Sequence, residues 1–536
     1  MLGRQRNWQK ANSPAVTAVD KGSRFALTRK GANLPLVYRS EKDCTFANVR
    51  EPEMHTSTDL TDKELSAMWK TIDWKQAEKV VSNLQTRIAR AALDKRWKDV
   101  RRLTRLLTRS HFAKLIAVRQ VTTSKGSNTP GVDGTTWRKN AEKMRGVINL
   151  NNKEYRAMPL LRKFIRKKNG KLRPLSIPTM SDRAMQALYA LALSPIEAAT
   201  GDLSSFGFRK YRSPKDACTY LFICLSQRKS AQWVLEADIK SCFDMISHEW
   251  LLTNIPMNQS VLRQFLKAGF LEGERLYPSK SGTPQGGVIS PILANMTLNG
   301  LETILGKRFY SNKSGVINKT YNHHKVNFVR YADDIVITAD TPETAEEIKQ
   351  ILKTFLIERG LELSEEKTHI THIGEGFTFL GWEFRKFTEK VIVTPSKESV
   401  KNILDKVHAI LRKGRSWSQD NIISAINPVI RGWCNYHNHV CASRTFSKMD
   451  HVIFQMIYSW VKRKHHNESK WATVKKYWHQ KGSRKWVFST PTKELVTLSK
   501  AKIIRHRMIQ REKNPYLEKE YFENRRKRIK RNKSFI

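Results

Sequence analysis

From Leu60 onward, apolar residues recur at three- and four-residue steps or multiples of them: Trp69, Ile72, Val80, Leu84, Ile88, Ala91. That spacing predicts one face of an amphipathic helix. A second stripe through Trp97, Leu103, Leu106 and Leu107, with Lys and Arg on the other side, predicts another helix. Between Ser127 and Trp137 the periodicity stops, and Pro130, Gly131, Asp133 and Gly134 predict a loop. From about Ala157 to Glu383 strand and helix patterns mix. QWVLEADIKSCFD and VNFVRYADDIVIT predict strands, and Thr344 to Gly360 predicts a helix closed by its glycine. Beyond Pro395 helical spacing dominates, with Trp417, Trp433, Trp460, Trp471, Trp478 and Trp486 spread along it. Residues 1–57 are polar, basic and without period, which predicts a flexible basic arm.

Composition narrows the class of partner. The 536 residues include 97 Lys+Arg against 49 Asp+Glu, a formal charge of +48 spread along the whole chain. With 40% hydrophobic residues the chain can build cores, and its length suits several domains of ~150 residues. A surplus of this size favours a polyanionic partner, and 14 Trp, 14 Tyr and 22 Phe add stacking capacity, so a nucleic acid is expected. Six cysteines form no disulfide framework. No apolar run reaches the ~18 residues of a membrane span, so no membrane partner is expected.

The chemistry sits in the acids. Asp238 ends one apolar run, and 95 residues further on Asp333 and Asp334 stand side by side between two others. Asp is a common turn residue, so the pair alone reads as a hairpin turn. With Asp238 added, three carboxylates are expected to meet across a sheet, where burial demands a cation. Hard carboxylate oxygens suit magnesium, and two ions ~3.5–4 Å apart suit an in-line displacement at phosphorus.

Tyr331-Ala332-Asp333-Asp334 resembles the YADD signature of reverse transcriptases, particularly those encoded by group II introns. The neighbouring blocks extend the resemblance in the family's order. TPGVDGTTW is similar to an extra N-terminal block, FIRKKNGKLRPLSIPTMSDRAMQAL to the finger block and SGTPQGGVISPILANMTLNGLE to the TPQGG block. LELSEEKTHITHI resembles the lysine-bearing block, and FTFLGWEF the hairpin that grips the primer. The resemblance spans about Trp69 to Tyr516. It implies that Asp238, Asp333 and Asp334 hold two Mg²⁺ ions, with Asp334 the least direct ligand. It implies that Lys167 and Arg173 bind the triphosphate, and that Phe243 excludes a ribose 2′-hydroxyl. Pro284, Gln285 and Gly286 would line the nucleotide and template pocket. Lys367 would lie near the leaving pyrophosphate as a general acid, and Gly381 and Trp382 would fall at the primer grip. Asp244 is left open between supporting the site and capping a helix.

INPVIRGWCNYHNHVCASRTFSKMDHVIFQMIYSWVKRKH resembles the thumb and maturase region of the same proteins, carried by Arg431, Gly432, Trp433, Asn435, Tyr436, Phe446, Tyr458 and Trp460. Trp433 and Trp460 are expected to pack the thumb, and Lys462, Arg463 and Lys464 to meet phosphates. Cys434, His437, His439 and Cys441 are spaced too tightly for a zinc site. For the basic run from Arg525, a solvated tail and a phosphate contact both remain open. KIIRHRMIQREKNPYLEKEYFENRRK resembles the start of a DNA-binding region, and with no cysteine after Cys441 an HNH endonuclease is expected to be absent.

The expected fold is α+β: a right-hand polymerase, with a helical thumb/maturase domain and a basic C-terminal DNA-binding segment. The expected divisions are 1–57 (arm), 58–395 (fingers and palm), 396–485 (thumb and maturase domain) and 486–536 (basic DNA-binding segment). The expected function is that of an RNA-directed DNA polymerase and maturase. It would bind its group II intron RNA, assist splicing and reverse splicing, and use dNTPs and target DNA to copy the intron by target-primed reverse transcription. The alternatives are a splicing cofactor with a silent polymerase and a domesticated reverse transcriptase. A bacterial cytoplasmic, nucleoid-associated location is expected, with an organelle as the alternative; the oligomeric state is left open.

Overall fold

The computed structural model describes residues 60–166, 170 and 172–533; the arm expected over 1–57 and the side chain of Lys167 lie outside them. The first apolar stripe forms two helices rather than one. Asp62–Lys70 and Trp74–Leu93 are divided at Asp73, whose carboxylate accepts hydrogen bonds from the amides of Lys75 and Gln76 and caps the second helix. The inward face of that helix is therefore Ala77, Val81, Leu84, Ile88 and Ala91, and Val80 is displaced from it. In the next helix, Trp97–Arg109, Val100, Leu103 and Leu107 turn inward, while Leu106 is 42% exposed. These helices pack with Met180–Thr200 into a first core. Residues 127–137 form the expected loop.

In chain order the strands are Leu160–Arg166 (β1), Leu172–Ile177 (β2), Trp233–Asp238 (β3), Phe270–Glu272 (β4), Arg275–Tyr277 (β5), Asn327–Tyr331 (β6), Asp334–Ala339 (β7) and His369–His372 (β8). Phe377–Phe379 (β9), Trp382–Phe387 (β10), Lys390–Pro395 (β11), Trp478–Lys481 (β12) and Arg484–Phe488 (β13) complete them. Among the described residues they form four sheets, ordered β2-β1-β4-β5, β6-β7-β3-β8, β11-β10-β9 and β12-β13. The β6-β7-β3-β8 sheet is covered on both faces. Leu235, Ala237, Ile335 and Ile337 enter the first core, and Val234, Val329 and Val336 enter a second. Alternate side chains leave a strand on opposite sides, so two covered faces call for apolar residues at successive positions, as in Val234-Leu235 of β3 and Ile335-Val336-Ile337 of β7.

The second core is built by helices Pro214–Leu225, Lys397–Lys413, Gln419–His437 and Ser443–Lys464. The helix expected from Thr344 runs Pro342–Ile357, with Gly360 at φ +72° beyond it. After the β12–β13 hairpin, which helical spacing did not anticipate, the chain folds back over the body. Ile509, Tyr516 and Phe522 are buried along this return. No helix of the described residues is long and apolar enough to cross a membrane.

Candidate active site

β6 and β7 pair up to Tyr331 opposite Asp334, leaving Ala332 and Asp333 as a two-residue turn. Such turns favour positive φ, and Ala332 adopts +60°. β7 then pairs antiparallel with β3, placing Asp334 directly opposite Asp238. Like charges at directly opposed positions repel, so this register is unfavourable unless a cation intervenes. The segment after Gly360 supplies one. It runs along the end of β3, with Ser364 N donating to Asp238 O at 2.8 Å. Lys367 Nζ thereby reaches Asp238 Oδ2 at 2.7 Å.

The acids feel their confinement. Burial, reinforced by the charge of Asp238, pushes the Asp333 carboxyl above its ordinary range, while Arg173 and Lys367 pull the other way. The Asp334 carboxyl is pushed up to about 6 by desolvation, then by Asp333 and Asp238. Asp334 as a residue is nonetheless exposed at the strand end, so solvent screening weakens that push. The hydrogen bond to Asp238 raises the Lys367 ammonium. Among the described residues no three His, Cys, Asp or Glu side chains are grouped so as to hold a metal ion, and Lys367 is the cation in contact with Asp238. The donor set still has the chemistry of a hard divalent cation: opposed carboxylates, with no thiol or imidazole among them.

The β1–β2 hairpin reaches the site through Arg173. Its Nε donates to Gln285 Oε1 at 2.9 Å, and Gln285 Nε2 donates to Asp244 Oδ2 at 3.1 Å. Asp244 thus braces the loop carrying Pro284, Gln285 and Gly286 rather than acting only as a cap. Ser176 N donates to Gln285 O at 2.7 Å, and Gly286 at φ +114° lies so close that a β-carbon would stand 2.6 Å from Ser176 O. Glycine is required there. Phe243, half-buried on the short turn Cys242–Met245, accepts at its carbonyl from Thr283 N at 2.6 Å.

Other expectations land elsewhere. Trp382 is fully buried, stacked on Tyr436 with centroids 4.5 Å apart, so its indole packs the junction with the following helices. Gly381, at φ +81°, remains partly open. Trp433 donates to Ser399 Oγ, and Trp460, 4% exposed, donates to Gly414 O; both pack as expected. Lys464 is engaged with Trp417 O and lies over the Trp460 ring, leaving Lys462 and Arg463 as the exposed cations of that run. Arg525 is neither a solvated tail residue nor free for phosphate: it donates to the buried Asp216 at 2.6 Å.

Sequence reasoning missed Arg330, one residue before the YADD signature. It is 0% exposed, donating to Asn295 Oδ1, Asn299 Oδ1 and, at 3.4 Å, Ala332 O behind the turn. A lone charge inside the apolar run NFVRY was the available signal.

Comparison with known proteins matches residues 165–384 to the model of reverse transcriptase (RNA-dependent DNA polymerase), 69–150 to the N-terminal domain of reverse transcriptase, and 400–478 to the group II intron, maturase-specific domain. The chain is 30% identical over 434 residues to group II intron-encoded protein LtrA of Lactococcus lactis subsp. cremoris, covering 65% of this chain and 72% of that protein. It is 31% identical over 378 residues to protein YkfC of Escherichia coli (strain K12), covering 63% and 98%. A telomerase structure from Candida albicans aligns over 61% of this chain and 63% of that one at 13% identity, but its TM-score of 0.32 carries no argument. With polymerase and maturase models matched in order and LtrA-like identity across most of that relative, the chain belongs to the group II intron-encoded reverse transcriptases that carry a maturase domain.

Proposed function

We propose that this protein copies RNA into DNA at the carboxylate cleft and binds a group II intron RNA, assisting its splicing and reverse splicing. In this reading the fold is a right hand. Residues 58–395 serve as fingers and palm, 396–485 as thumb and maturase domain, and the basic segment 486–536 meets target DNA. The observation that carries the reading is the register that sets Asp238 against Asp334 beside the Asp333 turn. A packed protein avoids opposed carboxylates unless the site exists to receive a cation.

Asp238 and Asp333, with Asp334 at the margin, would hold two magnesium ions. When bound, magnesium supplies Lewis-acid activation of a primer 3′-hydroxyl and neutralises charge on the leaving pyrophosphate. Lys367, an ammonium held against Asp238 at 2.7 Å, would be the proton donor to the departing pyrophosphate. Arg173, oriented at Nε by Gln285, would direct its outer N–H groups to triphosphate oxygens, a role shared with Lys167, which lies outside the described residues. Phe243 excludes a ribose 2′-hydroxyl, so dNTPs are the substrates. Pro284, Gln285 and Gly286 form the floor of the nucleotide pocket. The cDNA would start from a DNA 3′ end at the insertion site.

The test pairs two assays on the protein with its flanking intron RNA. D333A/D334A is expected to lose cDNA synthesis by ~100-fold or more, the scale of removing groups that stabilise transition-state charge. The same variant is expected to keep splicing at low magnesium. If wild-type protein promotes splicing and makes no cDNA, the chain is a splicing cofactor with a silent polymerase and the reading fails.

A further inference from the structure

Phe208 is held in a conformation its side chain disfavours, with φ at +58°. For a bulky residue this is an outlier that only its surroundings can impose. The residues before it are fixed on the back of the acid-bearing hairpin. Arg330 N donates to Ser204 O at 3.0 Å and Phe206 N donates to Arg330 O at 2.8 Å, so residues 204–206 lie alongside β6. Gly207 then presses on the turn itself: a β-carbon there would stand 2.3 Å from the amide nitrogen of Ala332. Its carbonyl accepts from the buried Asn295 at 2.9 Å, and Asn295 accepts from Arg330 at 3.2 Å. One residue later the chain dives inward again, where Arg209 meets Glu197 at 3.0 Å in the interior.

Between these two anchors Phe208 is pushed outward. It is 55% exposed, and its ring stands edge-to-face on Phe243, with centroids 6.3 Å apart and planes at 78°. Core packing does not account for a large, exposed aromatic in a strained conformation. The two anchors set its backbone, and the ring they turn outward meets Phe243.

We propose that Phe206–Phe208 is a specificity-determining platform, in which Phe208 braces the Phe243 ring in its sugar-facing position while Gly207 sets that brace against the Ala332–Asp333 turn. The inference rests on the reading of Phe243 as the ring that excludes a 2′-hydroxyl. A ring free to swing about its χ1 bond would make room for ribose. Phe208 removes that freedom from one side, and it directly follows Gly207, which makes the backbone contact to the acid-bearing turn. Phe208 is a positioning residue: it acts on the sugar only through Phe243.

The experiment measures kcat/KM for single-nucleotide incorporation by the full chain on a primed RNA template, with a deoxynucleotide and the matching ribonucleotide as probes. Phe243→Val tests the underlying reading and is expected to collapse the deoxy/ribo ratio. Phe208→Ala is expected to lower that ratio roughly three- to ten-fold, the size of one edge-to-face ring contact, through a rise in ribonucleotide use. Phe208→Leu, which keeps bulk and loses the ring edge, is expected to act likewise and covers an unstable alanine variant. Phe208→Tyr is expected to restore the ratio. Damage to folding alone would slow both nucleotides together and leave the ratio intact. An unchanged ratio in Phe208→Ala and Phe208→Leu beside a collapsed one in Phe243→Val overturns the brace and leaves the reading of Phe243. An unchanged ratio in Phe243→Val overturns both.

Discussion

Replacing Asp216 with alanine is expected to unfasten the returning C-terminal segment while the body stays folded. The Asp216 side chain is 0% exposed. It accepts from Arg525 at 2.6 Å, from Ile509 N at 2.9 Å and from Ser213 Oγ at 2.6 Å, and pairs with His506 Nε2 at 2.9 Å. Burial alone would raise its pKa, but His506, Arg525 and Ser213 together hold it below the ordinary range, so the carboxylate is charged. Removing one partner of a buried ion pair costs about 3–5 kcal/mol, because the other charge is left stranded. At 1.36 kcal/mol per decade, the open population of the segment rises by roughly two to nearly four orders of magnitude. Ile509, Tyr516 and Phe522 remain as apolar anchors, so the segment opens often without being lost. Amide exchange over residues 504–522 and tryptic cleavage at Arg511 and Lys513 report that population. Ser213→Ala, which takes one hydroxyl donor from the carboxylate and leaves its pairs with Arg525 and His506 in place, is the milder comparison at about 1 kcal/mol. Because the folded pKa is depressed, the carboxylate contributes above its unfolded value of about 3.9 and its contribution fades as pH falls below it. Acid therefore leaves the segment fastened down to roughly pH 4. Equal protection in Asp216→Ala and wild type at neutral pH refutes the reasoning and assigns the docking to the apolar anchors alone.

Two further outcomes follow from the same geometry. Gly286→Ala places a methyl group against Ser176 O in a left-handed conformation, and strain of about 1–3 kcal/mol should appear as a lower melting temperature and a higher KM for the nucleotide; unchanged values of both would refute the constraint. His437 is 0% exposed and its pKa is pushed down to about 3, chiefly by burial and then by Lys215. The unfolded chain therefore binds the extra proton first, so stability is full above about pH 6.5 and falls by up to about 1.4 kcal/mol per pH unit as pH drops toward 3. Melting curves between pH 7 and 5 should show His437→Gln losing less stability than wild type over that range; parallel curves would refute it.

What was legible in the sequence depended on how local its cause was. β3, β6 and β7 announced themselves because a sheet covered on both faces draws apolar residues to successive positions, and the acids at their ends stood out against those short runs. The helix break at Asp73 was legible in principle as a cap, yet the apolar stripe carried the reading past it and misplaced Val80 for Val81. The β12–β13 hairpin was hidden by basic, Trp-rich composition, although Gly482, at φ +59°, marks its turn. Contacts between distant segments left no trace: Arg525 looked like part of a free basic tail because Asp216 lies 309 residues away. Phe208 was not singled out in the sequence, because its contact with Phe243 is made only in the fold. Lys464 looked like a phosphate contact because nothing nearby in sequence reveals that Trp417 O would take its ammonium.

The distribution of the acids explains how so basic a chain can hold an anionic cleft. The buried ones are each provided for inside the fold. Glu197 meets Arg209, Asp202 accepts from Gly300 N at 3.0 Å, Asp182 accepts from Tyr155 and Thr179, and Asp216 holds Arg525. The cleft acids differ: among the described residues, Asp238 is the one of the three in an ion pair, with Lys367, whose side chain is 65% exposed. Two electrostatic demands then meet at one place. The +48 surface draws in polyanions, yet the cleft repels the phosphates that must enter it. Lys367 pairs with one carboxylate, and with Arg173 offsets the charge of Asp333 only in part, leaving a deficit that a divalent cation would meet together with the incoming phosphates. Metal and nucleotide are therefore expected to enter as coupled ligands, each lowering the electrostatic cost of the other.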